Sequence, residues 1–203
     1  MIAIIDYDAG NIRSVEKALR FLGAEVCVTR DADVIMSAEK VVLPGVGAFG
    51  DAMRRLHQYQ LAEVIRRVVE KETPFLGICL GMQLLFERSA ESVGVDGLGI
   101  LKGEILRIPD SQGLKVPHIG WNALSFPNES RLFTGIPEGS FVYFVHSYYL
   151  KAEDERMVAA ATEYGTHIHA AVEKNNVFAC QFHPEKSSDV GLRILENFMR
   201  VEI

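Results

Sequence analysis

Residues 75–87 read FLGICLGMQLLFE. A short apolar run climbs to one cysteine set between two glycines, and a helix-spaced apolar pattern begins at once, with no linker between them. A strand passing straight into a helix at a glycine-flanked corner belongs to an α/β layer. Glycines on both sides let the backbone approach closely and adopt angles that other residues resist. Two readings of Cys79 stand side by side here. Free cysteines are among the most buried residues and pack as small hydrophobes. The form G-x-C-x-G also matches a nucleophile elbow, whose sharp turn exposes the reactive atom above the sheet. The N-terminus of the following helix would favour a thiolate and a developing oxyanion. The pentapeptide alone leaves both open.

Working outward, the first half of the chain alternates. MIAIIDY reads as a strand and NIRSVEKALRFLG as a helix, with Ile12, Val15, Leu19 and Leu22 at helical spacing, Asn11 at its N-cap and Gly23 as its stop. AEVCVTR and KVVLPG are the next strands. A long helix is expected from about Asp51 to Glu72, with Leu61, Val64, Ile65 and Val68 on one face. The strand PFLGIC then leads into a helix over LGMQLLFERS. This alternation predicts a mostly parallel central sheet flanked by helices.

The second half predicts strands joined by turns: GEILRI, HIGWNALSF, FVYFVHSYYL, MVAAATEY, IHAAVEK and VFACQFH, with EKNNVF as a hairpin corner. A closing helix is expected over about Val190 to Arg200. Residues 1–203 read as a single α/β domain, parallel first and mixed or antiparallel later.

Composition narrows the function classes. A net charge of −6 gives no electrostatic reason to bind nucleic acid or an anionic membrane. No apolar stretch approaches the roughly 18 residues of a membrane span. The N-terminal MIAIIDYDAGN has no basic region or cleavage site, so it reads as a strand and not as a signal peptide. Three widely spaced cysteines, Cys27, Cys79 and Cys180, fit no disulfide framework and suit a reducing cytoplasm.

A thiol nucleophile needs a base, and the base needs an orienting partner. QFHPEKS at 181–187 offers both. Pro184 biases His183 toward extended backbone, where Glu185 would project to the same side and steer the imidazole. Read as packing, this is a strand-end histidine beside a solvated glutamate. His167 and His169 share a strand face without a cysteine or acidic partner at metal-ligand spacing, so no metal is expected. His57 lies in a polar stretch and is expected to be exposed.

GVGAFG at 45–50 fits G-x-G-x-x-G after a strand, which would suggest a dinucleotide. The acidic residue which that fingerprint needs at the end of the next strand is absent, since this strand ends in Cys79. Free N–H groups of such a loop can instead complete an oxyanion hole, and Gly45, Val46 and Gly47 are assigned that duty; Gly50 suits tight packing equally.

The blocks PGVGAFGDAMRRL, GICLGMQLLFE, VPHIGWN, FVHSY and QFHPEKS follow in order across residues 44–187. Together they resemble the class I (triad) glutamine amidotransferases, and within them the glutaminase subunits of imidazole glycerol phosphate synthases. The resemblance implies a glutaminase with Cys79 as nucleophile, His183 as acid and base, and Glu185 holding the ring. It implies an oxyanion site at the backbone N–H of Leu80 and the Val46–Gly47 loop, and substrate contacts from Gln83, Ser147 and Tyr148. No cofactor is implied. The ammonia would pass to a partner, the (β/α)8-barrel cyclase subunit of the same synthase, which makes imidazole glycerol phosphate and aminoimidazole carboxamide ribotide. Asn11, Trp121, Tyr143 and Lys186 are expected at that junction. Two alternatives remain: a glutaminase feeding a pyridoxal phosphate or anthranilate type of synthase, and a non-catalytic glutamine-binding module, whose mark would be loss of a triad member.

Overall fold

In the computed structural model, which describes residues 1–8, 10–110 and 113–202, four short and mainly apolar runs pair in parallel. They are Ile2–Ile5 (β1), Val26–Thr29 (β2), Lys40–Leu43 (β3) and Phe75–Ile78 (β4). Val177–Cys180 (β12) joins β4, also in parallel. Arg88–Ser89 (β5), Gly103–Arg107 (β6), Tyr148–Ala152 (β9), Val158–Glu163 (β10) and His167–Lys174 (β11) extend this sheet. The strand order is β2-β1-β3-β4-β12-β11-β9-β6-β5, with β10 also on β11. Every pairing of β9, β10 and β11 is antiparallel, so the expected parallel centre with a mixed extension is what forms. His118–Ala123 (β7) and Phe141–His146 (β8) make a separate antiparallel ribbon.

Helices cover both faces. Ile12–Phe21 (α1) and Ser188–Arg200 (α6) pack Val15, Leu19, Ile194 and Phe198 against Ile2, Ile4 and Leu76. On the other face, Phe49–Gln58 (α3) and Leu61–Glu70 (α4) pack Leu56 and Ile65 against Ala3, Ile5 and Phe75. Alternate residues of β1 thus enter opposite cores, as the two-residue period of a strand requires. Gly23 follows α1 with φ 88, and Asn175 turns the β11–β12 corner with φ 54, both at the expected stops.

Four expectations need correction. The helix from Asp51 to Glu72 is two helices, broken at Gln60 in the left-handed region (φ 57). At 3.6 residues per turn, one unbroken helix would set the apolar stripe of α4 roughly a third of a turn away from that of α3. The break resets the phase so that both stripes meet the sheet. The helix over LGMQLLFERS is a single turn, Leu80–Gln83 (α5). The carbonyls of Leu84, Leu85 and Phe86 accept instead from Leu98, Ile100 and Gly99, which unwinds the remainder. FVYFVHSYYL is two strands in two sheets, parting at Ser147. Ala32–Ser37 (α2), capped by Asp31, lies in a stretch to which no element was assigned. Among the described residues no helix is long and apolar enough to cross a membrane.

Candidate active site

Strands β4 and β12 run parallel with Cys180 opposite Ile78, so Cys79 and residues 181–183 leave the sheet side by side at its carboxyl edge. That edge is where open α/β sheets hold ligands. The Cys79 N–H donates to the Cys180 carbonyl at 2.7 Å. Cys79 has φ 55 and ψ −111, a strained conformation for a side-chain-bearing residue. The flanking glycines serve close approach: a Cβ on Gly77 would lie 2.9 Å from the Gly81 carbonyl oxygen, and one on Gly81 would run into the Leu43 carbonyl. Cys79 is 7% exposed, so it is both packed and open to a cavity.

His183 Nδ1 lies 2.8 Å from Glu185 Oε1, with the two side chains 3% and 0% exposed. The contact is made differently from the extended pairing expected: Pro184–Lys186 form one 3-10 turn that folds Glu185 back under the ring. Bonding to Nδ1 leaves Nε2 for the Cys79 sulfur, and His183 and Cys79 line one cavity. Burial alone would lower the His183 pKa. Hydrogen bonding to Cys79 and Glu185, together with the charges on those groups, outweighs burial and raises it to about 10. An imidazole held this way favours its protonated form at neutral pH. Cys180 differs: it is fully buried, and burial first, then the nearby charges of Glu185 and Cys79, push its thiol well up.

The cavity, of about 340 Å³, is lined by Val46, Gly47, Leu80, Gln83, Ser147, Tyr148 and Lys186 of the expected residues. Gly45 sits just behind it. The Leu80 N–H is not free to meet an oxyanion, because it donates to the Gly45 carbonyl at 3.3 Å. With only one turn in α5, little helix dipole reaches Cys79. The GVGAFG segment does not cradle phosphate either: the Phe49 and Gly50 amides are taken by Glu91 Oε2 at 2.7 Å and Ser92 Oγ at 3.0 Å.

Some contributors were given another role by the sequence reading, and others escaped it. Asn11 occupies the N-cap position of α1, but its side chain makes no cap. It turns away from α1, donates to Glu185 Oε1 at 2.5 Å and lies 3.4 Å from His183 Nδ1. Asn11 therefore belongs to the surroundings of the His183–Glu185 pair. Gln181, wholly buried, places Nε2 3.7 Å from Cys79 Sγ, and its Oε1 accepts from Gln83 at 2.9 Å. Its only signal was adjacency to His183 in QFHPEKS. Glu91 lines the cavity from a segment with no periodicity to mark it.

Tyr143 serves through its backbone, whose carbonyl accepts the His183 N–H at 2.9 Å and whose N–H donates to Ser187 Oγ at 2.9 Å. Its ring meets Trp121 edge-on at 5.9 Å. Trp121, Ile119 and Phe141 are each more than half exposed on the outer face of the β7–β8 ribbon. His57 is exposed as expected. His167 does have an acidic neighbour, bonding Glu163 across the β10–β11 hairpin, while His169 Nδ1 accepts from the Ala152 amide at 3.1 Å.

Residues 3–201 match the family model described as glutamine amidotransferase class-I. The imidazole glycerol phosphate synthase subunit HisH of Aquifex aeolicus (strain VF5) is 56% identical over 198 residues, covering 97% of this chain and 95% of that one. The subunit of the same name from Caldanaerobacter subterraneus subsp. tengcongensis is 52% identical over 198 residues, covering 98% and 97%. Among solved structures, a glutamine amidotransferase crystal structure superposes with a TM-score of 0.76 at 21% identity, covering 98% of this chain and 100% of that one. PurLQS from Thermotoga maritima gives a TM-score of 0.74 at 23% identity, covering 98% and 96%; both likenesses speak to the fold alone. The family model spans nearly the whole chain and the relatives from both bacteria are more than half identical to it, so this chain belongs to the class-I glutamine amidotransferases.

Proposed function

We propose that this chain is the glutaminase subunit of an imidazole glycerol phosphate synthase. The observation that carries the chemistry is the buried His183–Glu185 pair opening onto Cys79. The relatives named above, matched over nearly their whole length, carry the assignment to that synthase.

The Cys79 thiolate attacks the carboxamide carbon of glutamine while its proton rests on His183 Nε2. As the tetrahedral species collapses, the C–N bond breaks and His183 gives that proton to the leaving nitrogen. Ammonia departs and a γ-glutamyl thioester remains. Water, losing a proton to His183, then attacks the thioester; the C–S bond breaks, and glutamate and the thiolate are released. Glu185 holds the ring tautomer and stabilises the imidazolium throughout. Gln83, Ser147, Tyr148 and the Val46–Gly47 segment bind substrate. The Glu91 carboxylate suits its ammonium group and the Lys186 ammonium its carboxylate. Leu80 N–H and the loop amides receive the oxyanion once the Gly45 carbonyl turns away.

The ammonia goes to a cyclase subunit with a (β/α)8-barrel fold, in the cytoplasm, residues 1–203 forming the single glutaminase domain. The exposed Ile119, Trp121 and Phe141 beside Tyr143, contiguous with the cavity through Val145, suit a protein partner. Mixing the chain with that cyclase, its nucleotide substrate and glutamine should yield glutamate and imidazole glycerol phosphate in equal amounts. Failure to bind the barrel, with recovery on a different synthase, would replace this assignment.

A further inference from the structure

The inward face of the β7–β8 ribbon carries two histidines that the mechanism above does not use. His118 is 2% exposed and His146 6%. His118 Nδ1 lies 3.0 Å from His146 Nε2, and His146 Nδ1 lies 2.9 Å from the Tyr148 carbonyl oxygen. A carbonyl only accepts, so His146 carries its hydrogen on Nδ1. A neutral imidazole has one N–H, so His146 Nε2 is a lone pair and His118 Nδ1 must donate to it. His118 Nε2 is then bare, and it faces Asn122 Nδ2 at 3.5 Å, an amide that also donates to the Glu163 carbonyl at 3.0 Å. Each link runs in one direction only. Burial keeps both rings neutral, lowering His118 to about 4 and His146 to about 3. Stacking of His118 between Tyr164, at 3.8 Å, and Phe144, at 4.8 Å, fixes its plane. With both nitrogens committed, His146 has nothing to offer proton transfer.

The same Tyr148 carbonyl accepts a second bond, from Gln83 Nε2 at 3.1 Å. Gln83 Nε2 also donates to Gln181 Oε1 at 2.9 Å, and Gln181 Nε2 reaches the Cys79 sulfur at 3.7 Å. Both Gln83 amide hydrogens are thereby spent, and only its Oε1 remains to accept from a substrate N–H.

We propose that His118 and His146 are positioning residues for glutamine: His118 orients His146, His146 holds the Tyr148 carbonyl where the chain crosses from β8 to β9, and that shared acceptor fixes the Gln83 amide with its oxygen turned to substrate. The proposal rests on the glutaminase reading and deepens it.

The test uses the full chain in complex with its cyclase. In His146→Asn the side-chain amide stands near the original Nδ1 and still donates to Tyr148. In His146→Gln the amide reaches the Nε2 position, meets His118 and leaves the Tyr148 carbonyl with Gln83 as its one side-chain donor. H146Q should raise KM for glutamine by about tenfold while changing kcat by less than about threefold, the pattern of lost ground-state binding. H146N should recover most of that affinity. Independently, nitrogen NMR of the unliganded wild-type chain should show both rings as neutral Nδ1–H tautomers from pH 6 to 8. Equal KM in parent and H146Q, an H146N as impaired as H146Q, or an Nε2–H or imidazolium form at pH 7 would each overturn the proposal. A wild-type complex without glutaminase activity would remove the underlying reading instead, and the tautomers, seen without substrate, tell the two failures apart.

Discussion

The Asn11 side-chain amide donates to Glu185 Oε1 across 174 positions of sequence, on the oxygen that also takes His183. Among the described residues, the buried Oε2 accepts nothing. Asn11 is thus the second of two donors holding a carboxylate out of water. It sits at φ 71, which asparagine tolerates and glycine adopts freely. Asn11→Gly should therefore delete the amide without backbone strain. Loss of one bond to a buried charge predicts about a tenfold fall in kcat, with KM for glutamine within about twofold. Asn11→Asp should fall further, since a second carboxylate would face Glu185. Steady-state kinetics of both variants in the synthase complex decide this, and a change confined to KM would send Asn11 back to the partner junction.

Of the two buried thiols, only Cys79 faces the cavity; Cys180 lies beneath it with its Sγ toward the Phe182 carbonyl at 3.6 Å. Cys79→Ala should abolish glutamine hydrolysis and leave ammonia-dependent synthesis by the complex intact. Cys180→Ala should leave turnover near the parent value and cost about 1 kcal/mol of stability through a small void. Glutamate release and ammonia-fed product formation, measured side by side, separate these outcomes. A comparable loss of glutaminase activity in both variants would point to structural damage.

What the sequence made legible were features written in adjacent residues. The corner at Gly77–Gly81 and the run His183-Pro184-Glu185 announce their geometry locally, and the parallel pairing of β4 with β12 brings them together. Glu91 and Gln181 stayed hidden, and Asn11 was read as a cap and a junction residue, because their contacts at the site form only after folding, with no periodicity to mark them. Helix lengths were misread where tertiary bonds compete with helical ones, as the 97–101 segment does at Leu84–Phe86. FVYFVHSYYL is apolar except for His146 and Ser147, and one polar pair is compatible with a continuous strand, so the change of sheet at Ser147 went unread.

Acid should destabilise the fold through His118 and His146. Burial holds them at about 4 and about 3, while in the unfolded chain they titrate near the ordinary value of about 6.5. Between those values the unfolded state binds more protons, so stability rises with pH up to about 6.5 and then levels. His183, raised to about 10, has the opposite sign: its contribution is complete below about 6.5 and is lost as pH climbs toward 10. Urea unfolding from pH 5 to 7 should show the acid slope. His118→Phe keeps a ring between Tyr164 and Phe144 and should reduce that slope by close to one proton near pH 5, or about 1.2 kcal/mol per pH unit there, and by progressively less toward pH 7. An unchanged slope would mean that His118 is not neutral in the fold.

The Leu80 N–H that would meet the oxyanion is held by the Gly45 carbonyl at 3.3 Å. The proposed mechanism therefore requires the Gly45–Gly47 segment to turn, and Gly47, at φ 107 on the cavity wall, already sits in a conformation that favours glycine. Losing one oxyanion donor costs about 10² to 10³ in kcat where it has been measured in other hydrolases. The isolated chain should accordingly bind glutamine but turn it over about 10² to 10³ times more slowly than the assembled synthase carrying its nucleotide substrate. The difference should lie in kcat, because Gln83 and Tyr148 are already placed by bonds that do not involve the segment. Glutaminase rates with and without the cyclase and its nucleotide measure this directly. Full turnover by the isolated chain would show that the Leu80–Gly45 bond opens without a partner.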